Sequence, residues 1–257
     1  MVVLKCGPLF VGVEARLLEL ARPRCVLDLF IAPPDETPSY VLREVAAAEL
    51  GDSKLPLEGA DPSLGEYVVR DSAVLVNLPE EPFAAEAALK ALFALAVHRL
   101  GGLLLHASAV RWGKHAVAAT GPSGAGKSTF ARLCVTAGAS ILSDETMAFL
   151  PDGTCFGGPF RSDDDFIPTP ELATCLRLFS LVKGETEAVA PLEAKTGVQR
   201  ILDQAYRPAK GEVPAAQLLG RAAALTSRPG VSRLTFRKHP DAGAFMARWT
   251  THASAAL

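Results

Sequence analysis

Residues 121–128 read Gly-Pro-Ser-Gly-Ala-Gly-Lys-Ser, and this octet restricts the fold more than any other stretch of the chain. Glycines at 121, 124 and 126 let successive backbone N–H groups turn inward on an anion, and the positive end of a following helix adds to that field. Such a loop needs a strand before it and a helix behind it. Residues 115–120 read as the strand. Residues 128–137 read as the helix, with Phe130, Leu133 and Cys134 on an apolar face and Gly138 available as its cap. In this setting Lys127 reaches the β and γ phosphates of a nucleotide as a point charge, and the Ser128 hydroxyl binds Mg²⁺. ATP with Mg²⁺ is therefore the expected cofactor, held by Gly121, Pro122, Ser123, Gly124, Ala125, Gly126, Lys127, Ser128 and Thr129. The competing reading is a flexible Gly/Ser loop.

Two further features fall near this loop in the chain. Asp144 and Glu145 follow a short apolar run, 139–142, only one helix and one strand beyond Lys127. A right-handed βαβ connection would bring that strand's end beside the loop, where one carboxylate can hold the metal and another can take a proton. Neighbouring residues on a strand face opposite sides, so both act at one site only if the strand has ended by Asp144. Otherwise they are a solvated acidic pair opening a turn. His106 lies in the strand candidate 103–110. A lone histidine in an apolar run is more often packed than catalytic. With Trp112-Gly113 as the central turn residues, however, Val110 pairs with His115 and His106 with Ala119, which sets the ring at the mouth of the loop.

The rest of the chain bounds the answer. With 49% hydrophobic and 21% charged residues among 257, it can bury one sizeable core or one large and one small domain. A net charge of −2 gives no field that draws in nucleic acid or an anionic membrane. Cys6, Cys25, Cys134, Cys155 and Cys175 are odd in number and lack a C-x-x-C pair, so neither a disulfide framework nor a zinc site is implied. No export signal or membrane span is expected, and a cytoplasmic location fits. The sequence leaves a homo-oligomer open.

The expected architecture is α/β, with a small β-rich N-terminal unit of unreadable role over residues 1–82 and an ATP-binding domain over 83–257. In the first unit, β-like runs occur at 2–6, 10–14, 25–32, 67–69 and 73–76. Residues 82–100 form a buried helix ended by Gly101-Gly102. Beyond the loop, 147–150 and 154–156 suggest a hairpin, 170–206 reads as helical with a stripe of Leu172, Leu176, Phe179 and Leu181 and a second helix around 198–206, and 232–237 is a late strand. Arg161 follows a Gly-Gly-Pro-Phe turn and suits a phosphate oxygen, against the alternative of a solvated loop. Asp163, Asp164 and Asp165 read as loop charge.

Leu105-His106-Ala107-Ser108-Ala109-Val110, the octet 121–128 and Leu142-Ser143-Asp144-Glu145 together resemble the catalytic domain of HPr kinase/phosphorylase and its shorter relatives associated with modified peptides. That resemblance implies a P-loop core related to phosphoenolpyruvate carboxykinase. It also implies Asp144 as the acid/base for an acceptor hydroxyl, His106 as a second active-site residue and Glu145 as a metal-associated acid. The family usually has a paired aspartate where this chain has Asp144-Glu145. Residues 1–82 do not resemble the N-terminal domain of the sugar-regulatory enzymes. The implied activity is a Mg-ATP-dependent serine kinase acting on a peptide or small protein. A small-molecule kinase or carboxykinase-like phosphotransferase, and a nucleotide-regulated peptide-binding or chaperone module, are the alternatives.

Overall fold

The computed structural model describes residues 1–57, 62–162, 166–207 and 213–255. The chain runs through β1 (Val2–Cys6), β2 (Leu9–Val13), α1 (Ala15–Ala21), β3 (Tyr40–Glu44), α2 (Ala47–Leu50), β4 (Leu55–Pro56), β5 (Glu66–Arg70), β6 (Ala73–Asn77) and α3 (Pro82–Arg99). It continues through β7 (Leu103–Trp112), β8 (His115–Thr120), α4 (Lys127–Thr136), β9 (Ser140–Ser143), β10 (Thr146–Phe149) and β11 (Thr154–Gly157). The last elements are β12 (Leu172–Lys183), β13 (Ala188–Pro191), α5 (Ala194–Gln204), α6 (Ala215–Leu225), β14 (Val231–Phe236) and α7 (Pro240–Ala255). The fold is mixed α/β, built on two sheets.

The first sheet has the order β1-β2-β3-β6-β5-β4 and the second β11-β10-β7-β8-β12-β14-β13. β11 also pairs with β12, so the second sheet curls back on itself. α3 joins the two sheets. It starts at Pro82, where a missing N–H costs nothing, and ends before Gly101, whose φ of +80° suits a glycine. It is apolar nearly all round because sheet residues cover more than one of its faces: Leu89, Leu92 and Phe93 share a core with Val11, Leu42 and Val74 of the first sheet and with Leu104 and Phe156 of the second. Val26 N–H donates to the Pro159 carbonyl at 2.8 Å, and Phe160 packs edge-on to Phe93 at 5.4 Å.

β7 shows how the period of two in a strand creates a site. Its odd residues, Leu103, Leu105, Ala107 and Ala109, all enter one core, with Met147, Leu178 and Ile201. Its even residues begin with Leu104 in the core under α3 and finish with Val110 in a third core under α4 and α7, beside Phe130, Phe179 and Met246, and with Trp112 packed against that core. His106 and Ser108 occupy the gap between those two cores.

Three sequence expectations change. Of the two helices expected over 170–206, the first is strand, β12, which lies between β8 and β14 and parallel to both, whereas the second, expected around 198–206, forms as α5. A strand buried on both faces reads as a continuous apolar run, and the bulge between Cys175 and Arg177 breaks the alternation that would have marked it. The strand expected over 25–32 is reduced to single bridges, Cys25 to Phe160 and Leu4 to Ile31, around a 3₁₀ turn at Asp28–Phe30. α1, β3, α6 and α7 form where no element was assigned. No helix among the described residues is long and apolar enough to cross a membrane.

Candidate nucleotide-binding site

The β7–β8 hairpin turns at Gly113-Lys114, not Trp112-Gly113. Trp112 pairs with His115, Ser108 with Ala119 and Ala107 with Thr120, so the expected His106–Ala119 pair does not form. The slip is two residues, which preserves the face each side chain points to. His106 therefore stays on the expected face and moves one step toward the loop. On its other edge it pairs with Thr146 of β10.

The long strand β7 carries two short ones along that edge. β9 pairs with it through Ser143 and Ala109, β10 through Thr146 and His106, and Asp144-Glu145 are the break between them. Ser143 makes the break: its Oγ accepts the N–H groups of Glu145 and Thr146, each at 3.2 Å. The strand has thus ended before Asp144, and both acids leave the alternation. β8 and β9 run in the same direction with β7 between them. The acidic pair and the glycine-rich loop 121–126 consequently flank the His106–Ser108 stretch from opposite edges, rather than lying side by side.

The loop leaves β8 at Thr120 and enters α4 at Lys127. Gly126 has φ +102°, and a Cβ there would stand 3.0 Å from the Phe236 ring, so both backbone and space call for glycine. Lys127 Nζ donates to the Gly121 carbonyl at 3.0 Å, and Ser108 Oγ donates to the Lys127 carbonyl at 3.2 Å. Lys127 is 8% exposed, and burial lowers its pKa, with Glu145 opposing the shift. Parallel strands β8, β12 and β14 end together here, through Ser180 opposite Thr120 and Lys183 opposite Phe236.

A cavity of about 800 Å³ opens over this edge. Ser123, Gly124, Gly126, Lys127, Ser128 and Thr129 form one wall, His106, Glu145 and Ser162 another, and Lys183 and Lys238 add positive charge at the far rim. Arg161 is half-buried and does not line the cavity; Asp163 to Asp165 lie outside the described residues.

The two acids have different surroundings. Asp144 is 1% exposed and accepts Ser162 Oγ at 2.5 Å and Ser162 N–H at 3.2 and 3.3 Å on its two oxygens. Burial raises its pKa against the opposing pull of those hydrogen bonds. Glu145 Oε1 accepts Lys90 Nζ at 2.9 Å and the Tyr206 hydroxyl at 3.4 Å, with His106 Nδ1 at 3.7 Å. Burial alone pushes Glu145 up, but Lys90, His106 and Tyr206 outweigh it and hold the carboxyl below its ordinary value. His106 is shifted down by burial, Lys127 and Lys90 against the pull of Glu145, which favours the neutral ring.

Lys90 is the residue the sequence reading missed. It bonds Glu86 as well, 2.9 Å away on the same helix, and Glu86 in turn accepts Arg24, so a chain of charges runs from the exposed Arg24 through the buried Glu86 and Lys90 to Glu145. A glutamate and a lysine four residues apart inside an otherwise apolar helix were its signal. Ser162, Tyr206, Lys183 and Lys238 carried none.

No known family model matches this chain, and no curated protein does.

The donor set suits Mg²⁺, which takes hard oxygen ligands and keeps one or two protein groups beside substrate phosphates. Ser128 and Glu145 supply such oxygens on one cavity. Among the described residues no group of three or more His, Cys, Asp or Glu side chains forms a metal cage. Asp144 has both oxygens engaged by Ser162, which suits it to proton transfer better than to the metal role also considered for it.

Proposed function

We propose that the chain is a Mg-ATP-dependent kinase that transfers the γ-phosphate to a hydroxyl, a serine of a peptide or small protein, on a P-loop core related to HPr kinase. One observation carries this reading: a phosphate loop between a strand and a helix shares its cavity with Ser162, a hydroxyl held by the buried carboxylate Asp144. Backbone N–H groups of 121–128 and Lys127 would bind the phosphates and neutralise charge developing on them. Mg²⁺, held with the nucleotide by Ser128 and Glu145, would supply Lewis-acid shielding of the phosphate oxygens. Asp144 would take the proton of the attacking hydroxyl, for which a carboxyl made more basic by burial is suited. Neutral His106 would orient the reacting groups as a hydrogen-bond partner. Lys90 would keep Glu145 ionised and fixed. The short relatives that the motifs resemble favour a peptide acceptor over a metabolite.

The test is incubation with γ-labelled ATP and Mg²⁺ in the presence of serine peptides and, separately, of small hydroxyl metabolites. Label on a peptide is the expected result. Label on a metabolite would move the acceptor class, and nucleotide binding with no transfer and no phosphate release would favour a nucleotide-regulated binding module.

A further inference from the structure

The cavity walls carry four hydroxyl side chains: Ser123, Ser128, Thr129 and Ser162. Three belong to the phosphate loop and its helix. Ser162 alone comes from another segment, and among the described residues it alone of the four touches a carboxylate, donating to Asp144 Oδ2 at 2.5 Å. Its backbone N–H adds contacts to both Asp144 oxygens, so main chain and side chain fix its place together. The segment is rooted two residues earlier by Phe160, fully buried against Phe93. Ser162 itself is exposed toward solvent and cavity.

We propose that Ser162 is a self-modification site: its Oγ occupies the acceptor-hydroxyl position and takes the γ-phosphate from ATP bound to the same chain. This rests on the kinase reading above. In the step, Ser162 Oγ forms a bond to the γ-phosphorus. The bond from that phosphorus to the oxygen bridging the β-phosphate breaks, and ADP leaves with the electron pair. The Oγ proton passes to Asp144 Oδ2 and then to water. The product carries about −1.5 to −2 charges beside the Asp144 carboxylate. Repulsion then ends the contact that closes Asp144 off, and the carboxylate becomes open to an external hydroxyl. An unphosphorylated chain thus holds its own serine where a substrate serine must go.

The full chain, first treated with phosphatase and freed of it, is incubated with Mg²⁺ and γ-labelled ATP without any acceptor, and its peptides are mapped by mass spectrometry. Nucleotide binding is measured on the same sample. The expected result is one phosphate on the peptide holding Ser162, with a labelled fraction per minute that stays constant over a tenfold protein dilution. Ser162→Ala and Lys127→Ala both lose the label. A chain that binds Mg-ATP and phosphorylates an added serine peptide, yet leaves Ser162 unmodified, overturns this inference while the kinase reading stands. Label on another residue, or labelling that falls in proportion to dilution, also overturns it. Absence of Mg-ATP binding removes the kinase reading and this inference together.

Discussion

Replacing Lys90 by methionine keeps the length of the side chain and removes its charge. In the native protein Lys90 Nζ stands 2.9 Å from Glu86 and 2.9 Å from Glu145, and the side chains of all three are nearly closed to water, at 8%, 2% and 11% exposure. At the effective dielectric constant typical of protein sites, each such pair attracts by about 6 kcal/mol at this separation. Desolvating the ammonium costs several kcal/mol of that gain. Removing one partner of a buried pair also strands the other charge, and the net loss is expected near 3–5 kcal/mol. Arg24 still compensates Glu86 from the other side, which leaves Glu145 as the exposed fault. The sign of the pH dependence follows. In the wild type the Glu145 carboxyl is held below its ordinary value, so its contribution is present above the unfolded pKa and is lost as pH falls through the lower folded value. Without Lys90 burial dominates, the carboxyl rises above its ordinary value, and protonation relieves the variant. Urea unfolding of both proteins at about pH 7.5 and pH 5.5 reads this out: the gap between them is large at the higher pH and narrows at the lower. A gap under about 1 kcal/mol at pH 7.5, or one that widens on acidification, would refute the reasoning.

Asp144→Asn preserves shape and removes basicity, so Mg-ATP binding should stay within a few fold while phosphotransfer falls roughly 10²- to 10⁴-fold. Full transfer in that variant, measured on demonstrably folded protein, removes the proton-accepting role. Because His106 is shifted below 6.5 by burial and the flanking lysines, activity that needs the neutral ring should hold at pH 7 and fall only below about 6.5. His106→Gln should lose that acid limb, and a limb unchanged in the variant would assign it to another group. Glu145→Gln should raise the Mg²⁺ concentration needed for half-maximal transfer, and an unchanged requirement would take Glu145 out of the metal's surroundings.

The parts legible in the sequence were those whose chemistry is local. The glycine pattern of 121–126, the apolar face of α4 and the Pro82 and Gly101 limits of α3 each follow from neighbours a few residues away. The turn of the β7–β8 hairpin was misplaced, yet His106 kept its face because the error was an even number of residues. β12 was misread because both its faces are buried, and burial on both faces depends on strands that arrive from distant parts of the chain. For the same reason the pairing of Glu145 with Lys90, 55 residues away, was not foreseen, and Glu145 entered as a simple metal acid. Ser162 reaches Asp144 across 18 residues of chain through a segment anchored by Phe160. No local pattern announces such a contact.

Titration of Mg-ATP into wild-type protein and Lys127→Ala, followed by single-turnover phosphotransfer on the same preparations, tests the central claim most directly. Lys127 is held at the loop by the Gly121 carbonyl, and on nucleotide binding its charge is expected to transfer to the phosphates. A charge-assisted contact of about 1.5–3 kcal/mol predicts binding weakened roughly 10- to 150-fold and transfer abolished. Equal affinity and equal turnover in the two proteins would contradict the assignment of residues 121–128 as the nucleotide site.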